Sequence, residues 1–468
     1  IGDIEGGEGG RGWIVRGIGV SGQQHGMVPL DASLRPLRDA KLWCDVEASS
    51  QAETFSERAT AAMGGRDWTV PPGFTAPKVL WLIENEPEVW ENVRWIVLPH
   101  DYVNLILRGA GRDDAEEDGD LVPTTDAGDA SGTAIFDPQT REYVPTLTNC
   151  VDPTGKYLSS LPSIIHKPNA VTGYLSPAIK QAVGIDSRNS YDVPLSIGSG
   201  DNMCSALGCG AVRPGEAVLS LGTSGTIFGV SESPVRTGTP IAPFCDASGR
   251  HLPLACVMSC TGVLQSVLDD WCGGGTMTHD EATGLAMECS PGCEGLTFLP
   301  YLGGERTPNW PAASGALLGL TPSNMNCLGG GGGRPGLIYR AALEGLSYLL
   351  ADALDSMSES TDGGFQPRRL LVVGGGSRNR LWRRILADVL GVELIFPIEA
   401  ESAALGAAFQ AGAAATGGDV DEFVAGRHIE MEEEGSVKPT EDEATLEAYR
   451  EARARYQDLS SRLFGGSE

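Results

Sequence analysis

The chain has 468 residues, enough for two domains that each bury a core of their own. Its 62 acidic residues outnumber 34 basic ones for a net charge of −28, so the basic footprint of a nucleic-acid binder is absent. The excess is spread along the chain and fits a halophilic surface, kept soluble in concentrated salt by its charge. No run of eighteen apolar residues occurs, which argues against a membrane-spanning helix. Eleven Cys, odd in number and without paired CxxC sets, point to free thiols in a reducing cytoplasm. The first residues, IGDIEGGEGG, lack a charged and then apolar leader, and with no initiating Met the expectation is that the natural N-terminus lies upstream.

Trp13 to Val20 reads as a strand, followed by the polar turn SGQQHG and a second apolar-polar run, MVPLDAS, expected to lie beside the first. Gly17, Gly19 and Gly22 match GxGxxG in letters, but no helix opens after them, so a dinucleotide site is rejected. His25 sits in a polar cluster at the end of this strand. It reads equally as a hydrogen-bonding contact for a polyhydroxy ligand or as a satisfied turn residue. Lys78 to Trp90 predicts one helix after a Pro-bounded loop, and VLPHDYVNLILRG predicts another amphipathic segment. Gly111 to Asp120 reads as an acidic surface loop, and LVPTTDAGDASGTAIFD as a loop rich in Thr, Asp and Ser that enters a strand. No metal-ligand spacing stands out here.

The stretch from Leu195 to Val230 carries the chemistry. A short apolar strand ends at Gly198-Ser199-Gly200, where a tight turn presents Asp201 and Asn202. Two β-prone runs then flank Gly222-Thr223-Ser224-Gly225, a hairpin tip whose hydroxyls and open backbone N–H groups suit a phosphate. Each motif alone is equally a turn former, a helix N-cap or a common loop. Together they supply what phosphoryl transfer to an alcohol needs, a carboxylate to orient the hydroxyl and a cradle for the donor phosphates. Further on, FLPYLGGERTPNWP offers Glu305 and Arg306 to ligands, and Ser314 to Leu320 reads as a strand. Cys327 to Pro335 holds five consecutive Gly, a flexible insertion rather than a P-loop, since GxxxxGK[ST] is absent from the chain. Leu343, Leu346, Leu350, Leu354 and Met357 mark a long helix; RLLVV is a buried strand ending in Gly374-Gly375-Gly376, and Leu381, Ile385 and Val389 mark the next helix. The triple glycine lets a nucleotide approach the backbone, with Asn379 as a polar contact near the helix N-terminus. VELIFP, an Ala-rich helix from Ser402 and a charged helix ending near Phe464 complete the pattern.

The ordered motifs SGQQHG, LWCD, GFTAPKVLWLIEN, LPHDY, TDAGDASGT, GSGDN, LSLGTSG, FLPYLGGERTP, ALEG and VVGGGSRN resemble the FGGY family of carbohydrate kinases over nearly the whole chain, and most of all its members that act on D-xylulose. The resemblance implies an α/β fold of two actin-like (ribonuclease H-like) domains flanking a ligand cleft, over residues 1–211 for sugar and 212–468 for nucleotide, with the first domain incomplete at its start. It implies ATP-dependent phosphorylation of D-xylulose with Mg²⁺, Asp201 as general base and Gln24, His25, Asp201 and Asn202 on the sugar. Gly222, Thr223, Ser224 and Gly225 match the second phosphate loop, and Gly374, Gly375, Gly376 and Asn379 the adenosine site. The implied partners are a small sugar and ATP, with no nucleic acid or membrane and with a homodimer among the assemblies allowed; the implied metal ligands are unknown. An Asp of ordinary pKa is a weak base, so its placement is expected to matter more than its basicity. Three departures stand out: no Asp-x-Gly-Thr turn opens the chain, poly-Gly lengthens the loop between Leu320 and Leu337, and Gln24 occupies a position where Met is frequent. Alternatives are another pentulose or gluconate as substrate, a non-catalytic sugar- or nucleotide-binding fragment, and a chaperone-like ATPase indifferent to sugar.

Overall fold

The computed structural model describes residues 14–111, 121–185, 191–236, 238–272, 275–325, 334–398, 401–433 and 435–466. Most of the acidic segment 111–120 and of the glycine-rich segment 327–335 lies outside the described residues. The architecture is α/β, and the two halves of the chain solve the packing problem differently.

In the N-terminal half the described strands pair two by two. The expected strand up to Val20 is extended but bonded only at intervals: Ile18 N–H donates to Pro194 O (3.0 Å), and the regular ladder is confined to β1, Ser21–Gly22. The apolar run after the SGQQHG turn forms β2, Val28–Leu30, but not beside β1. His25 takes a positive φ of 65°, which redirects the chain, and β2 pairs antiparallel with β3, Trp95–Val97. The predicted helix over 78–90 is two helices, because Pro87 cannot donate into the ladder: α1 spans Thr75–Asn85 and a short one Pro87–Asn92. The amphipathic segment forms α2, Pro99–Leu107. The TDAGDASGT stretch is more ordered than a loop, with β4, Thr124–Asp126, leading into a helical turn capped by Asp126, whose carboxylate accepts the N–H groups of Gly128 and Asp129. Far along the chain β5, Ser199–Gly200, pairs parallel with β1 in the register Gly22↔Gly200.

The C-terminal half is built on one six-stranded sheet. From β5 the chain enters α3, Asp201–Cys209, then the hairpin β6, Glu216–Leu221, and β7, Gly225–Gly229, as the alternating pattern predicts. Strands β8, Ala242–Cys245, and β9, His251–Val257, extend it antiparallel; α4, Thr261–Trp271, and the long α5, Pro335–Ser360, cover it. Strand β10, Arg369–Val373, α6, Arg380–Leu390, and β11, Glu393–Ile395, add parallel strands, for a sheet order β8-β9-β7-β6-β10-β11. The alternation of β6 places Ala217, Leu219 and Leu221 in the larger core on one face and Val218 in a second core on the other. The second core contains Met203, Ala206 and Leu207 of α3, along with Ala413 of α7, Ser402–Thr416. The charged α8, Glu443–Phe464, closes the chain.

Helices α3 and α7 meet through glycine. A Cβ placed on Gly208 would lie 1.8 Å from Ser402 O, and one on Gly406 would lie 1.8 Å from Cys204 O, so backbone rests on backbone. Helix α3 is thus anchored to the C-terminal half by its body and to the N-terminal half by the strand that precedes it. The ten described cysteines are all free, and among the described residues no helix is long and apolar enough to cross a membrane.

Candidate active site

The Gly22↔Gly200 register brings the residues after β1 beside those after β5. Asn202 Nδ2 donates to Gln24 Oε1 (3.1 Å) and to Asp201 Oδ1 (3.1 Å), and the Asn202 N–H donates to the same Asp201 oxygen (2.8 Å). Asp201 is the first residue of α3 and does not cap it; Gly200 is the N-cap. Burial raises the Asp201 carboxyl above the ordinary value and the bond from the Asn202 N–H opposes the shift, so its basicity exceeds that of a free Asp. Gln24 is buried, and its Nε2 has no partner among the described residues. A buried amide donor without an acceptor is costly unless a ligand supplies one.

His25 is fixed as a wall of the same site. Its Nδ1 lies 2.8 Å from Gly132 O, its ring stacks on Phe74 (centroids 4.1 Å apart), and Phe244 of β8 approaches to 5.7 Å from the other half of the molecule. Burial lowers the His25 pKa to about 4, and the positive charges of Lys78 and Arg306 act in the same direction. The imidazole is therefore neutral; Nδ1–H donates to the carbonyl and Nε2 carries the free lone pair. The backbone at this position is held by Lys78, which sequence reasoning placed but gave no task. Its Nζ donates to His25 O (2.9 Å) and Gly73 O (2.7 Å), and burial lowers its pKa to about 8.

The glycine motifs converge at the ends of β6 and β10. Thr223 and Ser224 are exposed at the hairpin tip, while the Gly222 and Thr223 carbonyls are taken by the N–H groups of Thr261 and Gly262 at the start of α4. Gly225 is buried as the first residue of β7. Gly374 has φ 89° and ψ 170°, and a Cβ there would lie 2.7 Å from Leu221 O, so the triple glycine folds over the end of β6. Gly376 is packed against Trp382 and Leu221, whereas Gly375 faces open space. This is a backbone cradle that side chains would fill, and it fits the phosphates or adenosine of a nucleotide. The Asn379 amide is occupied at both ends: Oδ1 accepts the Trp382 N–H and Nδ2 donates to Thr283 Oγ1 (2.9 Å) and toward Tyr339 Oη (3.4 Å). It shapes the pocket wall rather than offering a free amide.

The expectation that Glu305 is open to ligands is corrected. Its buried carboxylate accepts the N–H groups of Met258, Ser259 and Arg306, which ties the end of β9 to the FLPYLGGERTP loop; Arg306 itself is exposed. Sequence reasoning also missed His100, Asp101 and Asp129, whose ligand-type atoms lie within 4.8 Å of one another in full burial. The cluster does not suit Mg²⁺, which takes oxygen ligands and retains several waters.

One family model, the FGGY family of carbohydrate kinases, N-terminal domain, matches residues 13–208, and its C-terminal counterpart matches 217–415. The chain belongs to the FGGY family of carbohydrate kinases. It is thus a sugar kinase with the two-domain α/β fold of that family. This kinase is 33% identical to a xylulose kinase of Haemophilus influenzae over 96% of its own length and 85% of the relative's. To a xylulose kinase of Streptomyces rubiginosus it is 36% identical over 86% of the chain and 75% of the relative. The crystal structure of a xylulose kinase from Bifidobacterium adolescentis superposes with a TM-score of 0.78 at 30% identity, covering 93% of this chain and 87% of that one.

Proposed function

We propose that this kinase transfers the γ-phosphoryl group of ATP to a hydroxyl of D-xylulose, giving D-xylulose 5-phosphate and ADP. The observation that carries the reading is the Gln24-Asn202-Asp201 constellation, where a buried amide donor without a partner stands beside a carboxylate raised by burial. Gln24 Nε2 donates to one sugar oxygen, and the free lone pair of His25 Nε2 accepts from a sugar hydroxyl. Asp201 orients the attacking hydroxyl and takes its proton as the new O–P bond forms; the bond from the γ-phosphorus to the β–γ bridging oxygen breaks and ADP leaves with that electron pair. The Gly222 to Gly225 tip holds the phosphates, and Gly374 to Gly376, walled by Asn379, receive the adenosine. Mg²⁺ comes with the nucleotide, and its chemistry is neutralisation of phosphate charge. Domains meeting between 211 and 212 place the sugar site chiefly in the first half and the cradle in the second.

The test is ADP release with ATP against a panel of D-xylulose, L-xylulose, D-ribulose, gluconate and glycerol, with calorimetric binding of each sugar. D-Xylulose is expected to give the highest kcat/KM. A preference for gluconate or another pentulose would move the substrate and leave the chemistry, whereas binding without ADP release from any sugar would replace the catalytic reading with a binding one.

A further inference from the structure

Beneath the paired ends of β1 and β5 lies a buried charge cluster that the proposed chemistry does not use. His100, the second residue of α2, is fully buried with both ring nitrogens facing carboxylates: Nδ1 lies 2.5 Å from Asp129 Oδ2 and Nε2 lies 3.3 Å from Asp101 Oδ1. Asp101 uses its other oxygen to accept the Leu98 N–H (2.9 Å), which starts the helix. Asp126 caps the turn that carries Asp129 and accepts the Ser199 hydroxyl of β5 (2.7 Å). Only the Nδ1 contact is a hydrogen bond; Nε2 and Asp101 Oδ1 face each other as an ion pair without one, so a charge on the ring is what compensates the second carboxylate. The three residues bring ligand-type atoms within 4.8 Å of one another, but an imidazolium, with a proton on each nitrogen, has no lone pair to give a metal, so the cluster held in that state is an ion triad.

The ring is also a spacer. A Cβ on Gly22 would lie 2.7 Å from His100 Cβ, and one on Gly198 would lie 2.9 Å from His100 Cδ2, so the two glycine-bearing segments sit directly on this residue. Asn104, one turn further along α2, donates to Ile197 O (2.7 Å) and ties the same helix to the chain entering β5. Two and three residues beyond these contacts stand Gln24 and Asp201.

We propose that His100 is a positioning residue, held as an imidazolium between Asp101 and Asp129, whose ring and charge fix the height at which β1 and β5 present Gln24 and Asp201. The proposal rests on Asp201 being the reactive carboxylate. The groups that face the cluster are Asp101 on α2, Asp126 and Asp129 on the turn after β4, Tyr143, and Cys204 and Asp201 on α3. Burial opposes charge on His100, but Asp101, Asp129 and Asp126 outweigh it and raise its pKa; burial likewise holds the Asp101 and Asp129 carboxyls above the ordinary range, with the charge on His100 opposing that shift. Losing the cation would leave buried carboxylates uncompensated and free the strand ends to shift. A displacement near 1 Å at a reacting group costs on the order of 100-fold in rate.

The experiment pairs a charge readout with a kinetic one on the full chain. In protein labelled with ¹⁵N-histidine, both His100 ring nitrogens are expected to stay protonated from pH 7 to pH 9, and Asp129→Asn is expected to bring their titration down into that range. His100→Gln is expected to lower kcat on the order of 100-fold with little change in the nucleotide KM, and His100→Lys, which restores a cation, to recover most of the loss. A neutral His100 at pH 8, a stoichiometric transition metal in the purified protein, kcat of His100→Gln within about threefold of wild type, or His100→Lys no better than His100→Gln would each overturn the proposal. If Asp201→Asn instead keeps full activity, the base assignment fails while the charge state of His100 still reads as expected, which separates the two failures.

Discussion

The two ends of the site are built in opposite ways. The proposed nucleotide cradle lies on turns at the ends of adjacent strands in a continuous six-stranded sheet, with apolar cores on both faces, and its shape is set by backbone and glycine. The proposed sugar end rests on a pair of two-residue strands, positioned by side chains: Lys78 under the His25 turn, His100 under β1 and β5, and Asp126 on Ser199. A two-residue strand pair has little cooperativity of its own and depends on these side-chain supports for its geometry, whereas the cradle is part of the cooperative sheet and shares its stability. Substitutions at the sugar end are therefore expected to act on the rate and sugar affinity, and those at the cradle on nucleotide affinity and stability.

The strongest test of that contrast is Asp201→Asn, which keeps shape but cannot take the hydroxyl proton. A loss of at least about 100-fold in kcat is expected, with ATP binding by calorimetry unchanged; more than about a tenth of the activity remaining would remove Asp201 as the base. Gly374→Ala should act at the other end. Its φ of 89° and ψ of 170° belong to glycine alone, and the new methyl would meet Leu221 O. The strain is about 1–3 kcal/mol, to be seen as a lower melting temperature and roughly a tenfold higher nucleotide KM, with the sugar KM unmoved. His25→Ala is expected to raise the sugar KM on the order of tenfold, the worth of one hydrogen bond, and the nucleotide KM far less; equal effects would mean that the ring only holds the fold. The same variant has a pH signature. Folded His25 stays neutral down to about pH 4 while the unfolded residue takes its proton near 6.5, so the wild type loses stability as pH falls through that window, and urea midpoints of the variant should lack this part of the slope.

The smallest effect concerns both halves alike. With a net charge of −28, raising KCl from about 0.1 M to about 1 M shortens the Debye length from roughly 10 Å to roughly 3 Å and should raise the melting temperature by a few degrees. A non-ionic osmolyte series controls for general exclusion, and a flat or falling curve would discard the halophilic expectation.

What could be read from the sequence follows the same division. The hairpin β6–β7 and the strand-glycine-helix at β10 were legible because local periodicity and glycine placement specify them. The partner of β1 was not, since its ladder is formed with Ser199–Gly200, and alternation says nothing of which distant strand is the neighbour. Asp201 and Asn202 were read together from their turn and joined to Gln24 by the family resemblance, but their mutual hydrogen bonds came only from the fold. His100 was passed over because its partner Asp129 lies 29 residues away in a different motif. Glu305 was misread because a carboxylate in a Gly- and Pro-rich loop looks solvent-facing until the backbone N–H groups it collects are seen.

The glycine contact between α3 and α7 sets a mechanical tolerance. Gly208 lies seven residues from Asp201, about 10 Å along the helix axis. Around such a fulcrum, a tilt of about 5° swings the carboxylate through about 1 Å, the scale on which positioned catalysis is lost. Side chains at the crossing would act as compliant washers, each rotamer permitting a slightly different angle. Carbonyl resting on Cα has no rotamers, so the bare contact works as a rigid bearing that transmits the orientation of α7 to the end of α3 that carries Asp201, with no play in between.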